Sequence, residues 1–254
     1  MTALTFNQAA QQAAMHISES KRMVVLTGAG ISTPSGIPDF RSPNTGLWSR
    51  DDPMEVASLS AFHNRPERFF NWLRPLAREM INAQPNPAHR ALSQLEQKGV
   101  LKAVITQNID GLHQKAGSKT VLEVHGSMQE LHCLSCRQNF PVENYLESFI
   151  QKEEIPRCVN CRAILKPNIV LFEELLPMNV WQQAEEQATQ ADLFVVIGSA
   201  LEVTPAAHLP LYALEQGARL IINTFSPTYL DSRADLLLPF DVAEIWPEIV
   251  NLLG

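Results

Sequence analysis

Thr106-Gln107-Asn108-Ile109-Asp110-Gly111-Leu112-His113 is the stretch whose reading decides the fold. It follows Val100 to Ile105, an apolar run with the composition of a buried strand. Gln107, Asn108 and Asp110 arrive together where that strand ends. In an open α/β sheet, ligands sit in the crevice beyond the carboxyl ends of the strands. Three short polar side chains there are suited to gripping a polar ligand and poorly suited to prolonging a strand. Read alone, the same residues also fit a plain turn, because Asn and Asp-Gly are ordinary turn chemistry.

The same pattern recurs on both sides of this stretch. Met23 to Thr27 is apolar and runs into Gly28-Ala29-Gly30. Val121 to Val124 runs into His125-Gly126, and Ala191 to Ile197 into Gly198-Ser199-Ala200. Arg219 to Ile222 meets Asn223, and Ala234 to Phe240 leads to Asp241-Val242. Helical patterns lie between them, at Phe6–Glu19 with Lys21-Arg22 closing its last turn, Ala88–Gln97, Asn179–Thr189 and Pro205–Gln216. Pro85-Asn86-Pro87 breaks the chain before the second helix, and Gly99 ends it. His89 in that helix reads as a core or capping residue. This alternation predicts an α/β fold with a doubly wound, parallel, Rossmann-like sheet.

Glycines after the first strand let backbone N–H groups approach a phosphate, with a helix N-terminus behind them. The usual dinucleotide fingerprint has a third glycine where Thr33 stands, so Gly28 and Gly30 also fit a tight turn. Gly198 and Ser199 offer backbone and hydroxyl donors in the same way. Ser42 to Asn82 reads as a loop and short helices, with Trp48, Phe62, Phe69, Phe70 and Trp72 as apolar anchors of a helical core.

The chain has 254 residues, 45% hydrophobic and 19% charged, enough for one large domain or a domain with a smaller insert. A net charge of −7 argues against a nucleic-acid partner but leaves room for a basic peptide. No apolar run approaches the roughly 18 residues of a membrane span. Met1 to Ser20 has no basic n-region before an apolar stretch, so neither a signal peptide nor a membrane partner is expected, and the compartment is expected to be the cytoplasm.

All four cysteines fall in two C-x2-C knuckles, Cys133–Cys136 and Cys158–Cys161, 21 residues apart. Four thiolates at this spacing close a tetrahedral Zn2+ site with no open position, hence one structural zinc per chain. A redox C-x-x-C is the weaker reading because there are two pairs. His132 adjoins the site without being read as a ligand. Between the knuckles, Val142 to Ile155 is acidic and reads as a solvated helix.

Two segments carry a resemblance to a known family. Gly28-Ala-Gly-Ile-Ser…Ser35-Gly-Ile-Pro-Asp-Phe-Arg41, followed by Thr106-Gln-Asn-Ile-Asp-Gly-Leu-His113, resembles the two cofactor motifs of the sirtuins, NAD-dependent protein deacylases. The likeness runs from about residue 20 to the C-terminus. It implies a Rossmann-like NAD-binding domain of residues 1–44, 86–127 and 164–254, a helical insert with a cofactor loop at 45–85, and a zinc-binding module at 128–163. NAD is then a consumed co-substrate, the partner an acyl-lysine protein or peptide, and the protein a monomer.

The resemblance also implies roles. The acyl oxygen of the lysine attacks C1′ of the nicotinamide ribose, nicotinamide leaves, and His125 acts as general base on a ribose hydroxyl. Free lysine and O-acyl-ADP-ribose follow. An unperturbed imidazole titrates near neutrality, which suits that task. His113 is the rival base and reads better as orienting its loop. Gln107 and Asn108 would hold the ribose and an ordered water, with Asn108 part of the catalytic set, and Asp110 the nicotinamide amide. Gly28, Ala29, Gly30, Ser32, Asp39, Phe40, Arg41, Ile109, Gly198, Ser199, Asn223 and Val242 complete the cofactor site, Asn223 facing a ribose hydroxyl. A mono-ADP-ribosyltransferase or NAD glycohydrolase on the same site, and a non-catalytic NAD-sensing module, are the alternatives.

Lys166 to Pro177 resembles the family's substrate-binding strand, with Val170 and Phe172 at the matching positions. Most members have glycine where Glu173 stands. Members that take succinyl or malonyl lysine carry a Tyr-x-x-Arg pair on the helical module, and Leu73 and Leu76 occupy those positions here. An apolar acyl pocket of Leu73, Leu76, Ile109, Val170 and Phe172 is implied, with Arg74 and Arg78 read as solvated.

Overall fold

A computed structural model describes residues 4–40, 46–49 and 51–254. In chain order it opens with α1 (Phe6–Glu19) and β1 (Met23–Thr27), then α2 (Pro53–Val56), α3 (Leu59–Asn64), α4 (Pro66–Asn82) and α5 (Pro87–Gln97). β2 (Leu101–Thr106), the one-turn α6 (Leu112–Lys115) and β3 (Val121–Glu123) follow. Next come β4 (Gly126–Cys133), β5 (Asn139–Pro141), α7 (Glu143–Gln151) and β6 (Leu165–Ile169). The last third is α8 (Met178–Gln190), β7 (Leu193–Ile197), α9 (Leu209–Glu215), β8 (Arg219–Asn223), β9 (Leu236–Leu237) and α10 (Val242–Leu252).

Successive residues of a strand face opposite sides, and here both sides are covered. Met23, Val25, Val195 and Ile197 pack with residues of α1, α5 and α10. Val24, Leu26, Phe194 and Val196 pack with residues of α8 and α9. A sheet buried on both faces needs continuous apolar runs, which is why these strands show no polar alternation. The six strands are parallel, in the order β3-β2-β1-β7-β8-β9. Counted along this sheet, that is the doubly wound order, and it reverses direction between β1 and β7. Register aligns Thr27 with Thr106 and Ile197, Thr106 with Glu123, and Ile197 with Asn223. The loops that follow these strands therefore start level, at one edge of the sheet.

Local chemistry fixes the helix ends. Thr5 caps α1 in a reciprocal box with Gln8, and Ser20 ends it, so Lys21 and Arg22 lie beyond the last turn. Asn86 caps α5 in a box whose third residue is His89. The C-terminal strand expected over 234–240 shortens to Leu236–Leu237, and α10 follows it, burying Trp246 completely.

The smaller module combines α2, α3 and α4 with the antiparallel sheet β5-β4-β6 and α7. Its core is aromatic. Phe69 meets Phe70 edge-on at 5.0 Å and Phe62 at 5.5 Å, and Phe70 meets Phe149 of α7 at 5.7 Å. Thus α7 is not a solvated helix: Phe149 is buried against α4. Arg74 is likewise not solvated. It is only 6% exposed. Its guanidinium donates to the carbonyls of Phe149 (2.8 Å) and Glu153 (2.9 Å) and to Asn71 Oδ1 (2.8 Å), and it lies 5.0 Å from the Phe149 ring centre. Arg78 does remain exposed.

Arg74 thus satisfies the carbonyls at the end of α7 from α4. Arg74→Met keeps most of the apolar stem and leaves those acceptors without donors. We expect a loss of about 2 kcal/mol, read as a lower urea midpoint. An unchanged midpoint would show that the guanidinium contributes nothing to this docking.

Candidate active site

The loops after β1 and β7 meet backbone to backbone at the point where the strand order reverses. Gly30 N–H donates to Gly198 O (2.8 Å), and Gly28 N–H to Ile197 O (3.0 Å). A Cβ on Gly30 would lie 2.7 Å from Gly198 Cα, and one on Gly28 2.8 Å from Gly198 O. Gly198 has a φ of 64°, and a Cβ there would lie 2.3 Å from Ile31 N. No backbone can yield that much, so the glycines are required by this contact. It also corrects the expected role of their N–H groups. Those of Gly28 and Gly30 are committed within the protein, and Gly198 N–H donates to Asn223 O (2.8 Å). None of the three can also cradle a phosphate in this arrangement.

The polar triplet after β2 ties the same loops together. Asn108 Nδ2 donates to Gly28 O and to Ser32 Oγ, both at 3.1 Å. Ser32 Oγ donates to Asp110 Oδ2 (2.7 Å), and Asp110 Oδ1 accepts from Leu112 N–H (2.9 Å). Gln107 Nε2 donates to Ser199 Oγ (3.0 Å). The loop begun by β2 is thereby joined to the loops after β1 and β7. With both N–H bonds of its amide engaged, Asn108 has its carbonyl oxygen left to offer a ligand. Burial pushes the Asp110 carboxyl above its ordinary range, and the hydrogen bonds from Leu112 and Ser32 partly oppose that.

Three histidines lie close to this network in different states. His125 is half-buried at the cleft, with Nδ1 3.0 Å from Gln107 O. A carbonyl only accepts, so Nδ1 carries the proton and the basic nitrogen is Nε2. His113 is buried, with Nε2 3.0 Å from Thr27 Oγ1, and its ring lies 4.9 Å from that of His89. Burial lowers the pKa of His89 to about 4 and holds His113 well below its ordinary value. Both rings are neutral and away from the cleft lining. His113 is thus placed beneath the motif, with Thr27 bonded on to Thr106 and Thr106 Oγ1 to Asn108 N–H.

The cleft above these loops has a volume of about 1620 Å³. An ordinary small-molecule pocket has roughly 300–1,000 Å³, so there is room for more than one ligand. Gly28, Ala29, Gly30, Ser32, Asp39, Phe40, Gln107, Asn108, Ile109, Asp110, Gly198, Ser199 and Val242 all line it. Arg41 lies outside the described residues. Asn223 is brought elsewhere. It is fully buried, its amide donating to Leu238 O (2.6 Å) and Phe240 O (2.9 Å) and accepting from Trp246 Nε1 (2.9 Å). Its side chain has nothing left for a ribose. Thr224, Phe225 and Ser226, the next residues along, line the cleft instead.

Leu73, Leu76, Ile109, Val170 and Phe172 come to the same cleft. Trp48 and Trp72 do too, stacked at 5.7 Å, with Phe40 on Trp48 at 5.1 Å. The aromatic anchors therefore divide: the phenylalanines of α3 and α4 form core, and these two tryptophans face the cleft. Phe172 bridges the two modules, its N–H donating to Ala57 O and its carbonyl accepting from Leu59 N–H. Glu174 N–H closes a turn onto Leu171 O (3.0 Å), in which Glu173 takes the third position at φ 75°. The type II turn calls for glycine or asparagine there, and a bulkier residue costs about 1 kcal/mol. The Glu173 carboxylate turns outward and accepts from Ser60 N–H (2.8 Å).

Cys133, Cys136, Cys158 and Cys161 have sulfurs all within 4.8 Å of one another, and none is in a disulfide. Cys133 Sγ lies 3.4 Å from Cys161 Sγ, and Cys136 Sγ 3.6 Å from Cys158 Sγ. Zn–S bonds of about 2.3 Å in a tetrahedron put sulfurs about 3.8 Å apart, so the four residues fit one zinc ion with no open position. The two knuckles share one turn. Arg137 N–H bonds Cys133 O at φ 61°, and Arg162 N–H bonds Cys158 O at φ 64°. His132 Nδ1 faces Asn139 Oδ1 and lies outside this group.

The Sir2 family model matches residues 28–205 of the chain. The NAD-dependent protein deacylase 2 of Archaeoglobus fulgidus is 46% identical over 242 residues, 95% of this chain and 94% of that protein. A solved structure concerned with the mechanism and regulation of Sir2 enzymes is 46% identical, with a TM-score of 0.91 over 96% of this chain and 97% of its own. A Sir2 structure with a p53 peptide and NAD+ is 40% identical, with a TM-score of 0.87 over 95% and 97%.

Metal binding at a structural site is folding energy, so the module carrying Phe149 should depend on zinc. Elemental analysis of protein purified without chelator is expected to give one zinc per chain. Stripping it should lower the thermal midpoint and release the four thiols to a thiol reagent. Protein that is stable, folded and free of zinc would count against the assignment.

Proposed function

The chain belongs to the Sir2 family and is an NAD-dependent protein deacylase, and we propose that His125 is its general base and Asn108 the residue that works beside it. One observation carries this. The hydrogen bond from His125 Nδ1 to Gln107 O fixes the tautomer in which Nε2 is the base, at the edge of the cleft where the polar triplet ends. NAD, the co-substrate, supplies the ribose whose hydroxyl takes the acyl group from lysine. His125 removes the proton from that hydroxyl. Asn108, held by Gly28 O and Ser32, turns its carbonyl oxygen to the ribose or its water. Asp110, held by Ser32 and Leu112, takes the nicotinamide side. Phe40 shields the departing ring.

The substrate is an acyl-lysine peptide, in keeping with the peptide and NAD+ held together in the related Sir2 structure. We assign its backbone to the gap between the modules, where it adds as a strand. Among the described residues no backbone hydrogen bond engages the peptide groups of Glu173 and Leu175, which supports that wall as the open edge. The acyl chain enters the space bounded by Leu73, Leu76, Ile109, Val170 and Phe172. We divide the chain into a Rossmann-like domain of 1–44, 86–127 and 164–254, a helical insert at 45–85 and a zinc module at 128–163, with β6 and the first residues of β4 reaching across those bounds to complete the smaller module's sheet. We assign the protein as a monomer, since one chain supplies every residue of the proposed site. Four reduced cysteines at zinc spacing support a reducing, cytoplasmic compartment, and the acidic net charge speaks against nucleic acid as partner.

His125→Ala is expected to lower deacylation about 10²- to 10⁴-fold while NAD still binds, measured by product mass spectrometry and calorimetry. Turnover within a few-fold of wild type would remove His125 from the role. The acyl preference is a separate test. Arg68, a cation on the cleft wall, is paired with Glu55 at 2.5 Å, and a carboxylate buried without a partner is disfavoured. Acetyl-lysine should therefore turn over well ahead of succinyl-lysine in the same peptide. The reverse order would show the pocket assignment to be wrong.

A further inference from the structure

We propose that Glu173 sets the sequence preference of the peptide site, favouring substrates with Lys or Arg beside the acyl-lysine over those with Asp or Glu there. This rests on the reading of the cleft as the acyl-lysine peptide site. The argument begins with strain. Glu173 holds φ 75° at the third position of the Leu171–Glu174 turn, where glycine would sit without cost. A strained side chain persists where its surroundings hold it and its presence does something.

What holds it is Ser60 N–H, 2.8 Å from Glu173 Oε2. That bond ties the carboxylate to the first turn of α3, in the smaller module, and the residue stays exposed. Among the described residues, two cations of the same wall are paired with other acids. Lys166 is buried against Glu174 (2.8 Å), and Arg68 binds Glu55. Glu202, also exposed, adds a further acid to the cleft lining. A substrate strand pairing with Glu173 and Leu175 brings its own side chains alongside the Glu173 carboxylate. Opposite charges side by side on adjacent strands attract, and like charges repel.

The test uses acetyl-lysine peptides identical except for Lys, Ala or Glu on either side of the modified lysine, with KM and kcat measured for wild type, E173Q and E173G. Glutamine keeps the acceptor for Ser60 N–H and the shape, and removes only the charge. We expect wild type to show a KM at least about threefold lower for the Lys-flanked peptide than for the Glu-flanked one, the order expected of a cross-strand charge pair. That ratio should fall towards one in E173Q and E173G, and in wild type at high salt. A ratio near one in wild type overturns the proposal. So does a ratio kept in full by E173Q, which is what a residue that merely braces the turn predicts. Failure to deacetylate any peptide would defeat the reading of the cleft and the proposal with it, and would be told apart by the absence of product rather than by its distribution.

Discussion

The contact between Gly30 and Gly198 is the constraint on which the rest depends. Two loops leave adjacent parallel strands at the point where the sheet reverses its order, and they touch without side chains. A methyl group at either glycine would enter occupied backbone. Because the loops touch, Gly28 O and Ser32 come within reach of Asn108, and Ser199 within reach of Gln107. The polar triplet can then serve as a brace for three loops at once. The cleft opens above this brace.

That bracing has a chemical consequence. Most polar groups at the floor are satisfied by one another, so a ligand meets the few that remain. Asn108 keeps an oxygen, and a main-chain carbonyl holds His125 in the tautomer that carries its proton on Nδ1. Beneath them, burial keeps His89 and His113 neutral, and both serve as struts. A positively charged imidazolium in that layer would lose its hydration, which is what holds both rings neutral. The cleft histidine and the buried histidines are thus told apart by depth, not by residue type.

How legible this was in the sequence follows from how far each effect reaches. A strand end followed by glycine or amide residues is local, so the sheet and the motifs at Gly28 and Gln107 could be read directly. Side-chain direction is not local. Asn223 ends its strand as expected, but Trp246 of α10 and the carbonyls of Leu238 and Phe240 turn its amide into the core. Arg74 lies about a hundred degrees round the helix from Leu73, which would reach water if α7 did not cover that face. Trp48 and Trp72 look like core in composition and become cleft wall through a stack between a loop and a helix. Each of these depends on a partner distant in sequence.

The wall opposite the floor follows the same logic through a buried charge. Lys166 lies almost wholly out of water, and burial lowers its pKa while Glu174 opposes the shift. Such a pair is weak as a source of stability, since desolvation offsets much of the attraction. Its geometry matters more. Lys166 Nζ also donates to Pro167 O and Ile169 O, and Glu174 Oε2 also accepts from Leu171 N–H. The pair therefore closes both ends of the segment from 166 to 174 and leaves the Leu171–Glu174 turn little freedom. The left-handed backbone at Glu173 is imposed by that closure, whatever side chain the position carries. A glycine would accept the imposed conformation silently. A glutamate accepts it under strain and, held by Ser60, presents its charge at the surface, so the buried pair behind the wall determines where the exposed charge in front of it sits.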